Sequence, residues 1–271
     1  MEMQANDERC LIASQESVLF SDADMSKVRF MIGSRFRKAT KGRFFGFAWL
    51  VLDPLIISLI YFFVFSVVKA NPNAASILLG VTLYRVFQSS VIAGIGCVDD
   101  LNGGLKCERV RTKVILLAEI IYRTIDSFLQ SFLIVCIVVL AFDVPILGGV
   151  TMLVVAQITG IVFFGVGTSL APLVKRVPDL KNVISYGLRM GFYASPAMYP
   201  MSLMSGLHYQ INLFNPFAYL AETVREAAEL ESAFQAMNQN LILGMTVTIV
   251  SLALIGVRGV DSLRWRMTTW S

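Results

Sequence analysis

Histidine is nearly missing from this sequence of 271 residues. His208 is the only one, and charged residues of all kinds make up 15%. The four cysteines, Cys10, Cys97, Cys107 and Cys136, form no CxxC pair and show no metal-like spacing. No GxxxxGK[ST] loop is present, which excludes ATP hydrolysis by a Walker mechanism. HExxH and GxSxG are absent, and no carboxylates pair at an obvious site. No catalytic residue, metal ligand or cofactor is therefore assigned to this chain. Basic residues do not interleave with aromatics on one face, which argues against nucleic acid. The start "MEMQANDERC" is polar and acidic. It is read as lacking a cleavable signal peptide, so the first apolar run is expected to act as its own insertion signal.

What the sequence has in excess is hydrocarbon. Hydrophobic residues make up 56% and the mean hydropathy is +0.67. A soluble domain has about 25% charged residues, and a chain of this length could not bury so much apolar surface in water. A span needs about 20 apolar residues. Six candidate spans follow, at about 47–68, 76–98, 114–141, 146–174, 182–198 and 241–257. They must be helices, because a backbone in lipid satisfies its own hydrogen bonds, and the runs are too continuous for a barrel. The fold class is thus all-α integral membrane, a single domain over 1–271.

The cations orient it. With the N-terminus inside, 18 lysines and arginines fall on the inner side, and only Lys69 and Arg225 outside. That is the asymmetry of cytoplasmic loops, so both termini are expected in the cytoplasm. Arg85, Arg123 and Arg189 lie within spans. Before the first span, Met25, Val28, Ile32 and Phe36 recur at helical spacing, with Ser21 and Asp24 as a capping pair. The stretch 22–43 reads as an amphipathic helix along the inner surface. Residues 199–238 are too short and interrupted to span, yet too apolar for a free loop. Pro200 and Asn215-Pro216 break them, and the helix after Pro216 shows an apolar and a charged side. An outer re-entrant or interfacial helical pair between spans five and six is expected.

Charges inside spans are costly and face protein or water. Glu119, Arg123 and Asp126 stand at i, i+4 and i+7 on one face, so the arginine can pair with either acid. A self-neutralising cluster that packs spans together is the plain reading, and a proton relay the sharper one. Asp53 could pair with Arg85 or Arg189. Tyr84, Phe87, Tyr122, Tyr186 and Tyr193 stand out among the aromatics, since ring faces suit apolar sugar faces. Tyr84, Phe87, Tyr122 and Tyr193 are the candidates for lining a path, with core packing as the alternative.

One pattern resembles a family. Gly46, Trp49, Asp53, Pro54 and Leu55 fill a Gly-x-x-Trp-x-x-x-x-Pro-Leu entry into the first span, with Asp where Glu is commoner. "LAPLVKRVPDL", with Ala171, Pro172 and Asp179, closes the fourth span, and "NPFAYLAETVREA", with Asn215, Pro216, Glu222 and Arg225, precedes the sixth. Their order and spacing resemble the ABC-2 type permease subunits of polysaccharide exporters, which move capsule or O-antigen chains out of Gram-negative cells.

The resemblance implies a permease dimer in the bacterial inner membrane, two ATP-binding subunits that carry the ATP and Mg, and a lipid-linked glycan as substrate. A smaller substrate, such as a drug or lipid, and teichoic acid are the alternatives. It also implies that 99–113 is a coupling loop on the ATPase. Asn102, Lys106, Cys107, Glu108 and Arg109 are its candidate contacts, with Asp179 nearby in role. Asp53, Pro54, Glu119, Arg123, Asp126, Pro200, Asn215, Pro216, Glu222 and Arg225 are structural or gating candidates.

Overall fold

The computed structural model describes residues 22–40, 73–102, 112–236 and 238–267, with scattered positions between 48 and 63. Among them the secondary structure is helical throughout. The helices are α1 (Asp22–Thr40), α2 (Ala74–Asn102), α3 (Thr112–Ala141), α4 (Ile146–Arg176), α5 (Asp179–Ala194), α6 (Gly206–Leu213), α7 (Pro216–Ala227) and α8 (Gln239–Met267). Short 3₁₀ turns cover Met201–Leu203 and Phe234–Ala236.

Four of these are long and apolar enough to cross a membrane: Ala74–Cys97, Lys113–Ala141, Ile146–Arg176 and Gln239–Gly259. Most of the first expected span, 47–68, lies outside the described residues. Within it, Ile57 packs against the main core. The fifth expected span, 182–198, is instead a 16-residue helix that stops at Ala194. Pro196 is the reason: a proline disfavours helical geometry in the residue before it, and Ser195 is extended at φ −92°, ψ 162°.

α4 is the central element. It packs against α2, α3 and α8, and touches α5 and α7. Small residues make this possible, as is usual where membrane helices approach closely. At the α2–α4 crossing, a methyl group on Gly94 would collide with the Phe164 carbonyl and lie 2.7 Å from the Thr168 nitrogen. α8 leans on α4 in the same manner, through Ala253 and Gly256 against Gly165. Farther along, towards Met245, the two separate and leave a crevice of about 150 Å³ beside α7, lined by Phe163, Tyr219, Met245 and Ile249. The outward faces of α3, α4 and α8 carry Phe128, Phe132, Val150, Val154, Leu243 and Val247, all exposed. Such a surface belongs in lipid.

α1 lies on the first turns of α3. Val28 is buried with Val114, Ile115 and Ala118, and Met31 and Ile32 pack beside them. Phe36 meets the Tyr122 ring edge-on, with centroids 4.9 Å apart. Met25 departs from the expected stripe and is exposed. Ser21 of the expected cap lies outside the described residues.

Candidate functional site

Three polar constellations interrupt the apolar bundle. The first is at its α7 end. Asn215 caps α7: its side-chain oxygen accepts from the Phe217 N–H at 3.1 Å, and Pro216 takes the first helical position. This start turns Glu222 and Arg225 inward. The expected charged side of α7 is therefore corrected in part, since these two residues are 0% and 1% exposed, and Glu226 alone of the charged residues in α7 stays outside the core.

Glu222 and Arg225 pair at 2.9 Å. Arg225 also donates to the Ser76 hydroxyl at 2.8 Å and to the Ala197 carbonyl at 3.3 Å. Glu222 accepts from the N–H groups of Met201 at 3.0 Å and Ala233 at 2.6 Å. Pro200 precedes that first donor and opens its 3₁₀ turn. The pair thus ties α2, the α5–α6 connection and the α7–α8 connection to α7. Gly80 makes room for it: a methyl group there would lie 2.8 Å from the Arg225 guanidinium. Nearby, Asn212 and His208 both reach the Ala194 carbonyl at 2.8 Å, which anchors α6 to the end of α5. On the outside of α7, the Ser232 hydroxyl and the Gln235 amide hold the Glu226 carboxyl below the usual carboxylate range.

The second constellation lies where α1 meets α3. The structure brings Glu119, Arg123 and Asp126 together. Arg123 is 3.2 Å from Glu119 and 3.7 Å from Asp126. Arg35 of α1 completes the set at 2.8 Å from Glu119, and Gln130 donates to Asp126 at 3.0 Å. Arg35 and Arg123 set two cations against the two anions, which offsets the desolvation of each.

The third is the open side of α5. Tyr186, Met190 and Tyr193 are 67%, 77% and 59% exposed, and Asn182 and Arg189 are exposed beside them. The Arg189 guanidinium lies 5.7 Å from the Tyr186 ring centroid. The closed side carries Phe192, which packs on Tyr84.

The four aromatic candidates separate. Tyr84 is 3% exposed, surrounded edge-on by Phe87, Phe192 and Phe217, and it donates to the Leu188 carbonyl at 2.6 Å. Phe87 packs on Phe163. Tyr122 is buried under Phe36. These three pack the core, and Tyr193 alone faces outward. Asn102 ends α2, and Asp179, which is exposed, starts α5. Asp53, Pro54, Lys106, Cys107, Glu108 and Arg109 lie outside the described residues. Arg35, Ser76 and Asn212 were not singled out from the sequence. Only Asn212 left a local trace, three residues before the Asn215 cap it bonds to at 3.0 Å.

A helical bundle with a lipid-facing surface and neutralised internal charges is a multi-pass membrane protein. The profile of the ABC-2 type transporter family matches residues 27–228, and the chain belongs to that family. It is 24% identical over 226 residues to an O-antigen export system permease protein RfbA of Klebsiella pneumoniae, covering 79% of this chain and 85% of that protein. A second Klebsiella pneumoniae protein of the same name is 23% identical, over 83% of this chain and 87% of its own length. The Myxococcus xanthus protein of that name is 25% identical, over 60% and 64%.

Proposed function

We propose that this chain is the permease subunit of an ATP-driven exporter that moves a lipid-linked polysaccharide, of O-antigen or capsule type, across the bacterial inner membrane. Family membership supports transport, and the names of its relatives support a glycan. The observation that carries the reading is the open side of α5, where Tyr186 and Tyr193 flank Arg189 on one exposed stripe of a short helix beside the bundle. Rings suit the flat faces of sugars, and modest repeated contacts let a long chain slide.

Two copies of the chain face one another across this path in our reading, and Tyr193 remains of the original lining candidates. Two ATP-binding subunits supply the energy. The stretch 99–113 and Asp179 are the contacts proposed for them, with both termini in the cytoplasm. The short helices α6 and α7, held by the Glu222–Arg225 pair, close the outer end as re-entrant elements.

Deletion of the gene tests the reading. Surface polysaccharide is expected to vanish while polymer accumulates inside the cell. Complementation with the Tyr186→Ala/Tyr193→Ala double variant is expected to restore assembly but not normal export. Unchanged surface glycan in the deletion strain overturns the proposal.

A further inference from the structure

In the two buried clusters, Arg123 and Arg225 are answered within their own helices, and Arg35 by Glu119 of the neighbouring helix. Arg123 has Glu119 and Asp126, and Arg225 has Glu222, three or four residues away. Around Arg189 the same positions are Ser185, Tyr186, Phe192 and Tyr193. Among the described residues ion pairs hold Arg35, Arg123 and Arg225, and none holds Arg189. Its contact is the Tyr186 ring, which covers one face of the guanidinium. The nearest acid along α5 is Asp179, ten residues or about 15 Å of helix away. Exposed on this side of α5, with no acid within a turn along its own helix, the guanidinium is placed to meet an anion from elsewhere.

The surroundings favour a passing anion. Asn182, Tyr186, Arg189 and Tyr193 recur at steps of four, three and four, so they form one stripe along the open side of α5. We infer that Arg189 is an anion-recognition point on this stripe, taking a phosphate or carboxylate group carried by the transported glycan. The inference rests on the export reading above. The planar guanidinium grips either group with two parallel hydrogen bonds, which a lysine cannot reproduce. The rings on either side accept the uncharged parts of the chain. The open side leaves the site hydrated, so an anion is recognised without being trapped.

The anion has two possible sources, the phosphate that joins glycan to lipid or an acidic sugar in the repeat. The test uses the permease assembled with its ATPase in nanodiscs of neutral lipid. Dodecyl phosphate against dodecanol probes the first source. A glucuronic acid oligosaccharide against a neutral glucose oligosaccharide of equal length probes the second. The wild type is expected to prefer one anionic probe by roughly tenfold or more, and Arg189→Gln to erase that preference. Arg189→Lys keeps part of it. The preferred probe identifies the source.

Arg189 is exposed, and substitutions at exposed positions change stability little, so the Gln variant is expected at normal levels. The inference is overturned if the wild type shows no preference or if the Gln variant keeps it. It is also overturned if that variant loses the second copy of the chain in size-exclusion chromatography, which would assign the guanidinium to a contact between copies. Deletion of the gene reports on export separately, because its outcome does not depend on Arg189.

Discussion

Arg225 is among the largest fully buried side chains, and it lies beside a glycine that leaves room for it. Its charge is tolerable because Glu222, Ser76 and a carbonyl satisfy its donors. Removing one member leaves the other charged and uncompensated, which costs about 3–5 kcal/mol, whereas replacing both by apolar groups can be nearly neutral. Arg225→Met is therefore expected to lower the thermal stability of the detergent-solubilised protein sharply. Glu222→Leu should do the same and also strand the Met201 and Ala233 N–H groups. The double variant should recover part of the loss. Unfolding followed by tryptophan fluorescence distinguishes this from simple additivity of the two losses. Glu226 behaves differently, because its depressed carboxyl is exposed. Its bonds to Ser232 and Gln235 contribute above the usual carboxylate value of 4.5 and are lost as the pH falls below it.

At the scale of elements, α1 is held to α3 by an apolar strip, the Phe36–Tyr122 ring contact and the Arg35–Glu119 ion pair. Val28, Met31 and Ile32 supply the strip, and Arg35 reaches Glu119. Helices this exposed gain most of their stability from packing rather than propensity. The ion pair adds direction, since Glu119 is already held by Arg123 in its own helix. A disulfide between cysteines placed at Val28 and Ala118, in a background without native cysteines, is expected to form readily. Arg35→Gln should slow its formation several-fold, reflecting about 1 kcal/mol for a partly exposed pair. An unchanged rate means that the ion pair adds nothing to the apolar and ring contacts that hold α1.

At the scale of the molecule, the sequence has the membrane domain of the ABC-2 type transporter family and no GxxxxGK[ST] loop. Purified alone, it is expected to release no phosphate from ATP. Hydrolysis should appear when a chain with a phosphate-binding loop is added, and a steady rate from the single chain would refute the proposed division of labour. Around α4 the bundle has two tied ends and one open side. The tied ends are ion-paired networks, and the open side carries Arg189 against a tyrosine ring.

Spans two, three and four are legible in the sequence because each is a long apolar run, and lipid leaves a backbone no alternative to a helix. The Glu119, Arg123 and Asp126 group is legible for a related reason, since spacing within one helix dictates which side chains meet. Asn215 and Pro216 announce the start of α7 by local chemistry alone. Contacts between helices are not written locally. Arg35 reaches Glu119 from 84 positions away, and Arg225 meets Ser76 across 149. No periodicity reports such separations. The same limit explains Tyr84 and Tyr193, two aromatics that look alike in sequence. Only the way α5 lies against α2 decided that Tyr84 is enclosed by rings while Tyr193 stands open beside Arg189. Which face of an apolar helix is covered depends on its neighbours, and that is settled by tertiary packing.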